Sequence, residues 1–136
     1  MTETFQLEIA TPARLVVDQA VSSAEFPGSQ GYLGVLPDHA PLLGRLEPGV
    51  LTYTLAGKQN VLVVEDGFLE VLDNHVSVLV ERAESADKIS LDTAKTALAE
   101  AERALMHPPE NPDYDSLLRA VRLSRARVDA ALKIRG

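Results

Sequence analysis

The chain has 136 residues, 46% of them hydrophobic and only 4% aromatic, with no cysteine and a formal net charge of −7. That length suits one ordinary domain, or a small domain with an appendage. The missing cysteines exclude disulfides and thiolate metal sites and favour a reducing compartment, and the acidity argues against nucleic acid, whose phosphates need a basic face. No apolar run reaches the roughly eighteen residues of a membrane-spanning helix. The acidic start Met1-Thr2-Glu3-Thr4 argues against a signal or transit peptide. Charge is unevenly divided: residues 1–86 hold twelve acidic and four basic residues, a net of −8, whereas residues 87–136 hold eight acidic and nine basic, a net of +1.

Phe5-Gln6-Leu7-Glu8-Ile9 alternates apolar and polar residues, the period of a strand with one buried face. Thr11-Pro12 ends it, and Arg14 to Val17 and Val21 to Phe26 each have the length of a short strand. From Phe26 to Leu43 the chain carries three glycines and three prolines, too many for a helix. Two short strands joined by tight turns fit that stretch, with one of them presented outward. Leu46-Glu47-Pro48-Gly49 is a turn. Val50 to Leu55 is rich in β-branched and aromatic residues, Ala56-Gly57-Lys58 reverses the chain, and Asn60 to Glu65 returns it. Asp66-Gly67 has the composition of a hairpin turn, where glycine supplies a positive φ. Phe68 to Leu72, a turn at Asp73-Asn74 and Val76 to Val80 complete the run. The pattern predicts a mainly β domain over residues 1–86, an antiparallel β-sandwich or flattened barrel of about ten strands.

From Arg82 to Asp87 the pattern changes. Ser90 or Asp87 can cap a helix, Asp92 suits its first turn, and Leu91 to Leu105 is built of good helix formers. Leu91, Ala94, Leu98, Ala101 and Leu105 form its apolar face. His107-Pro108-Pro109-Glu110-Asn111-Pro112 breaks it. Asn111 or Asp113 can cap a second helix from about Tyr114 to Ile134, with Leu117, Val121, Val128 and Leu132 as its stripe, Tyr114 and Ala131 alongside, and Arg119, Arg122, Asp129 and Lys133 opposite. Residues 87–136 are therefore expected to form an antiparallel two-helix hairpin. Its alanine-rich stripes are narrow, so it depends on docking against another surface.

Residues with chemistry are few. Asp38-His39 has the composition of an acid–base pair, but adjacent turn residues rarely face each other and no nucleophile is spaced to use them; a structural or interface histidine is preferred. His75, placed in a hairpin turn beside Asn74, and His107 at the proline-rich break are expected to be solvated. No histidine pair has metal-ligand spacing. Gly28-Ser29-Gln30-Gly31 with Gly34 lacks the Gly-Lys-Ser/Thr ending and the following helix of a phosphate loop. Arg119, Arg122, Arg125 and Arg127 suit either an acidic partner or a solvated face. No catalytic residue, metal site or cofactor is predicted.

The stretch Gly28-Ser29-Gln30-Gly31-Tyr32-Leu33-Gly34-Val35-Leu36-Pro37-Asp38-His39-Ala40-Pro41-Leu42-Leu43, followed by Leu46-Glu47-Pro48-Gly49, closely resembles the epsilon subunits of F-type ATP synthases. Asp66-Gly67-Phe68-Leu69-Glu70-Val71, Asn74-His75-Val76-Ser77-Val78-Leu79 and Arg82-Ala83-Glu84 continue the likeness, which runs the length of the chain. The resemblance implies a non-catalytic rotor component of the central stalk. Its sandwich binds the gamma shaft on one side and the ring of c subunits on the other, with Ser29, Gln30, Gly31, Tyr32 and His39 as the contact residues. It also implies a regulatory hairpin that either folds against the sandwich or extends along gamma. Extended, it presents Arg119, Arg122 and Arg125 to the beta subunits, near alpha, and blocks ATP hydrolysis. The implied location is the cytoplasmic side of a bacterial plasma membrane, held peripherally through the complex. Some relatives bind ATP through a motif that opens the first helix. Here that motif is Ile89-Ser90-Leu91-Asp92-Thr93-Ala94, and it departs at Ser90 and Thr93 and again at Glu100, so no ATP binding is expected. The alternative from another class is an ATP-binding sensor module that regulates a larger complex.

Overall fold

The computed structural model describes residues 3–135; Met1, Thr2 and Gly136, the outer ends of the two expected domains, lie outside the described residues. Eight strands precede two helices. They are β1 (Phe5–Ala10), β2 (Leu15–Val21), β3 (Ser23–Gly28), β4 (Gly31–Val35), β5 (Leu42–Leu46), β6 (Gly49–Leu55), β7 (Lys58–Leu72) and β8 (His75–Ser85). One turn of 3₁₀-helix (Ala86–Lys88) leads into α1 (Leu91–Met106) and α2 (Tyr114–Arg135). The strands pair in the order β2-β1-β8-β7-β5-β3-β4, with β6 beside β3 and β7. All pairings are antiparallel except β1 with β8, which run parallel. The expected all-antiparallel sandwich therefore carries one parallel seam.

Strands are fewer than about ten because chain stretches taken as separate are continuous. Asp66-Gly67 does not turn the chain: β7 runs through it for 15 residues, and Gly67 pairs with Leu46 on one side and Val80 on the other. Gly67 is not among the glycines with positive φ. Its lack of a side chain serves a different purpose, since a Cβ there would overlap the carbonyl of Leu79 on β8. Across this point the buried side of β7 changes from Leu62 and Val64 to Leu69 and Val71. β5 and β6 follow β7 in a single register, Leu46 opposite Gly67 and Gly49 opposite Val64, with the corner Glu47-Pro48 between them. β8 extends to Ser85, beyond its expected end at Val80.

Two of the hairpin turns, at Ala56-Gly57 and Asp73-Asn74, have positive φ at both residues of the pair. The main core lies inside the sandwich, around Phe26, Leu7, Ile9, Leu46, Leu51 and Leu69. β6 and the first half of β7 are buried on both faces. Leu51, Leu62 and Val64 join the main core, while Val50, Val61 and Val63 join a second cluster with Ala86, Ile89, Ala94, Ala126, Ala130 and Ala131. The helical hairpin thus lies folded against the sandwich.

Ser90 caps α1 by accepting from the Thr93 amide at 3.3 Å. Asp113 caps α2, accepting from the Ser116 hydroxyl at 2.8 Å and the Ser116 amide at 3.2 Å. Those Ser116 bonds, the hydroxyl's foremost, hold the Asp113 carboxyl below the usual carboxylate range. The α2 stripe differs from expectation: Ala126, Ala130 and Ala131 are its buried residues, and Tyr114 and Leu132 are exposed. The cause is that α2 packs against two partners, α1 and the β6–β7 hairpin, rather than along one seam.

A methyl group at position 67 has no space unless β7 and β8 separate. Gly67→Ala is expected to lower the unfolding free energy by about 2–3 kcal/mol, measured by urea denaturation. Gly34→Ala, with open space around the new methyl, is expected to change it by under about 0.5 kcal/mol. Equal effects would show that the approach at Gly67 is not tight.

Candidate functional site

The β3–β4 hairpin reverses at Ser29-Gln30, between the paired Gly28 and Gly31. Gly31 has φ +117, a conformation L side chains rarely adopt. The Ser29 amide donates to the Arg45 carbonyl at 2.9 Å, which fixes the loop over β5. Tyr32 is 58% exposed, yet its hydroxyl accepts from the Val50 amide at 3.1 Å. Its phenol oxygen is thus anchored to β6, leaving part of the ring open to solvent. An open groove beside the hairpin is lined by Gln30, Leu33, Leu42, Leu43 and Leu69.

His39 is not brought to that loop. It follows the far end of β4, so the length of a five-residue strand, about 16 Å, lies between them. The loop at residues 36–41 is held at that end by Asn74, whose side-chain oxygen accepts from the Asp38 amide at 2.8 Å and whose amide donates to the Thr4 carbonyl at 2.9 Å. His39 Nδ1 lies 2.7 Å from the Ala40 carbonyl, so its ring is engaged with its own backbone. His75 begins β8 rather than lying in the turn, and its Nε2 is 3.4 Å from a Glu8 carboxylate oxygen. His107, at the C-terminal cap of α1, is exposed. Among the described residues no group of three potential ligands is placed to hold a metal ion. Burial raises the Tyr53 hydroxyl pKa on β6.

Sequence reasoning missed the outward face of β5, the second half of β7, β8 and β1. Phe68 lies opposite Leu79, Leu79 opposite Ala10, and Arg45 opposite Phe68. Leu43, one step along β5 on the same side as Arg45, is 74% exposed, and Phe68 and Leu79 are 58% and 57% exposed. Leu15 and Leu72 extend the apolar area. The signal was available: once Leu69 and Val71, and Val76, Val78 and Val80, are assigned inward, large apolar side chains remain at outward positions.

On α2 the structure divides the arginines. Arg119, expected on the solvated side, points at the sandwich, where it pairs with Asp66 and, at 3.5 Å, with Glu65. Arg122 is exposed and lies 3.9 Å from Glu47. Arg127 makes a two-pronged contact with Glu84, Nε at 3.1 Å and Nη2 at 3.0 Å. Arg125 is exposed. In α1, Ser90 is occupied as the cap, and Thr93 and Glu100 are exposed.

Such a body, with an anchored exposed loop, an open apolar sheet face and a docked cationic helix, belongs to the class of protein-binding subunits. Comparison with known proteins gives the class its family. Residues 4–86 match the family described as ATP synthase, Delta/Epsilon chain, beta-sandwich domain. The chain is 44% identical over 133 residues to the ATP synthase epsilon chain of Solibacter usitatus, covering 98% of this chain and 99% of that one. It is 39% identical over 136 residues to the epsilon chain of Nitratidesulfovibrio vulgaris, covering 100% and 98%. In fold it is similar to a chain in the structure of the Euglena gracilis mitochondrial ATP synthase OSCP/F1/c-ring assembly. There the TM-score is 0.85 at 23% identity, covering 97% of this chain and 83% of that chain. The chain belongs to the ATP synthase epsilon-chain family, and it is a non-catalytic subunit. Among the described residues no helix is long and apolar enough to cross a membrane.

Tyr32→Phe keeps the ring and removes the acceptor of the Val50 amide. The expected cost is about 1 kcal/mol of unfolding free energy, read from urea titration. No measurable loss would mean that the loop does not rely on this bond.

Proposed function

We propose that this subunit joins the rotating shaft to the membrane ring of its ATP synthase and restrains ATP hydrolysis through its helices. Residues 1–86 act as the coupling domain and residues 87–136 as the regulatory one. The observation that carries the proposal is the outward face around Leu43, Phe68 and Leu79. A sandwich with an otherwise well-filled core leaves large apolar side chains adjacent on one sheet, the mark of a surface covered by another protein. That face is assigned to the gamma shaft. The anchored loop at Ser29, Gln30, Gly31 and Tyr32 is assigned to the c-ring, because glycines let it lie close to a partner and Tyr32 offers a large amphipathic contact. His39, at the other end of β4, is assigned to the gamma side.

The hairpin is the restraining element. α2 carries Arg119, Arg122 and Arg125, and swung away from the sandwich it would offer them to acidic surfaces of the beta subunits beside alpha. Docking through alanines leaves two arrangements close in free energy, the condition for a switch. ATP is given no part in this scheme, since the chain departs from the motif of ATP-binding relatives at Ser90, Thr93 and Glu100. The assembly would hold the chain peripherally at the cytoplasmic side of a bacterial membrane, in keeping with its bacterial relatives.

Two measurements test these assignments. Phe68→Asp is expected to weaken binding to purified gamma by about tenfold or more, with the fold intact by circular dichroism; unchanged affinity would remove the sheet face from the shaft contact. Deleting residues 87–136 is expected to raise ATP hydrolysis by the reassembled enzyme while synthesis persists. Hydrolysis equal to that with the full chain would remove the restraining role.

A further inference from the structure

α2 carries six basic and two acidic residues, a net of +4, and it lies on residues 1–86, whose net charge is −8. The fully buried part of the helix in the apolar contact beneath it is small: Ala126, Ala130 and Ala131 meet Val50, Val61, Val63, Ala86, Ile89 and Ala94, with Leu123 and Val128 only partly buried beside them. Little apolar area is removed from water by methyl groups, so alanines hold such a helix weakly. The edges of the contact are charged along its length. Arg119 reaches Asp66 and Glu65 where β7 passes from one half of the sandwich to the other. Arg122 reaches Glu47 on the neighbouring corner. Arg127, about two turns on from Arg119, grips Glu84 of β8 with both prongs. Glu65, with its side chain only 16% exposed, gathers Arg119 and, at 3.9 Å, Arg82.

We propose that these ion pairs form a charge latch, so that ionic strength sets how much of the hairpin is docked. Each pair is partly exposed and weak alone. Three of them in register along one helix act together, and all are screened by salt over about 10 Å at 0.1 M. Arg119 and, more loosely, Arg122 are paired with carboxylates of the sandwich when docked, so an acidic partner competes for the same guanidinium groups that close the latch. The latch itself rests on the docked geometry and not on the partner assignments above.

The chain has no cysteine, so two introduced thiols report without background. Ala120→Cys on α2 and Gln59→Cys at the β6–β7 turn, both exposed positions, carry a fluorescent donor and acceptor on the isolated full chain. Transfer efficiency is expected to fall as NaCl rises from about 20 to 500 mM, with helicity unchanged by circular dichroism. At low salt, Arg127→Gln and Arg119→Gln are each expected to lower the docking constant about two- to fivefold, whereas Lys95→Gln on the exposed side of α1 leaves it unchanged. The reversed pair Glu84→Arg with Arg127→Glu is expected to restore docking that Arg127→Glu alone loses. Transfer that is flat with salt overturns the latch. So does a salt response that neither arginine substitution alters.

Discussion

Among the described glycines the tightest approach is that of β7 to β8 at Gly67. There the backbones pass with no room for a Cβ, and the side of β7 that faces the core changes from Leu62 and Val64 to Leu69 and Val71. One 15-residue strand can therefore serve two layers. Its first half, with β6, is buried on both faces, by the main core on one side and by the helices on the other. Its second half, with β5 and β8, is buried on one face only and turns Phe68 outward. The helical docking site and the open apolar face are thus consequences of one crossing point on one strand.

The two surfaces differ in physical character. The open face carries large apolar side chains, with Arg45 and Glu70 among them, on paired strands whose register leaves Phe68 and Leu79 directly opposed. It suits a lasting contact, since covering it removes large side chains from water. The helical contact is alanine in its centre and ionic at its margins. Ion pairs with partly exposed members contribute little each and respond to their surroundings, which suits an attachment that is made and broken. The proposed role, coupling through the sandwich and restraint through the helices, would use both kinds.

Much of this was legible in the residues. Alternation identified β1, the cap at Ser90 and the proline-rich break bounded α1, and the glycines and prolines around residues 26–43 excluded helix. Asp66-Gly67 misled because an Asp-Gly pair between two apolar runs has the same composition whether glycine supplies a turn or a close crossing. The change of buried side at that point strengthened the false division, since alternation is interrupted there although the strand is not. Arg119 was placed on the wrong side because a helix with two partners, a second helix and a sheet, has two inward stripes. A single amphipathic pattern cannot separate these. The run Val61-Leu62-Val63-Val64 held the missing clue: four consecutive buried residues mean a strand covered on both faces, and only the helices could supply the second cover. Partners for Ser29 to Tyr32 and for His39 were not recoverable from composition, because an exposed loop records its partner only in the partner's presence.

The parallel seam bears on how the chain reaches this state during synthesis. β1 lies between β2 and β8, with Gln6 beside His75, so the sandwich's first strand waits for its last before its second edge is closed. Until β8 has been made, β1 has only the β2 hairpin for company, and the cost of closing so long a loop must be met before the seam gives anything back. The sandwich should accordingly assemble late and all at once, and a nascent chain stalled before residue 75 would display an unpaired strand edge to chaperones and to other copies of itself.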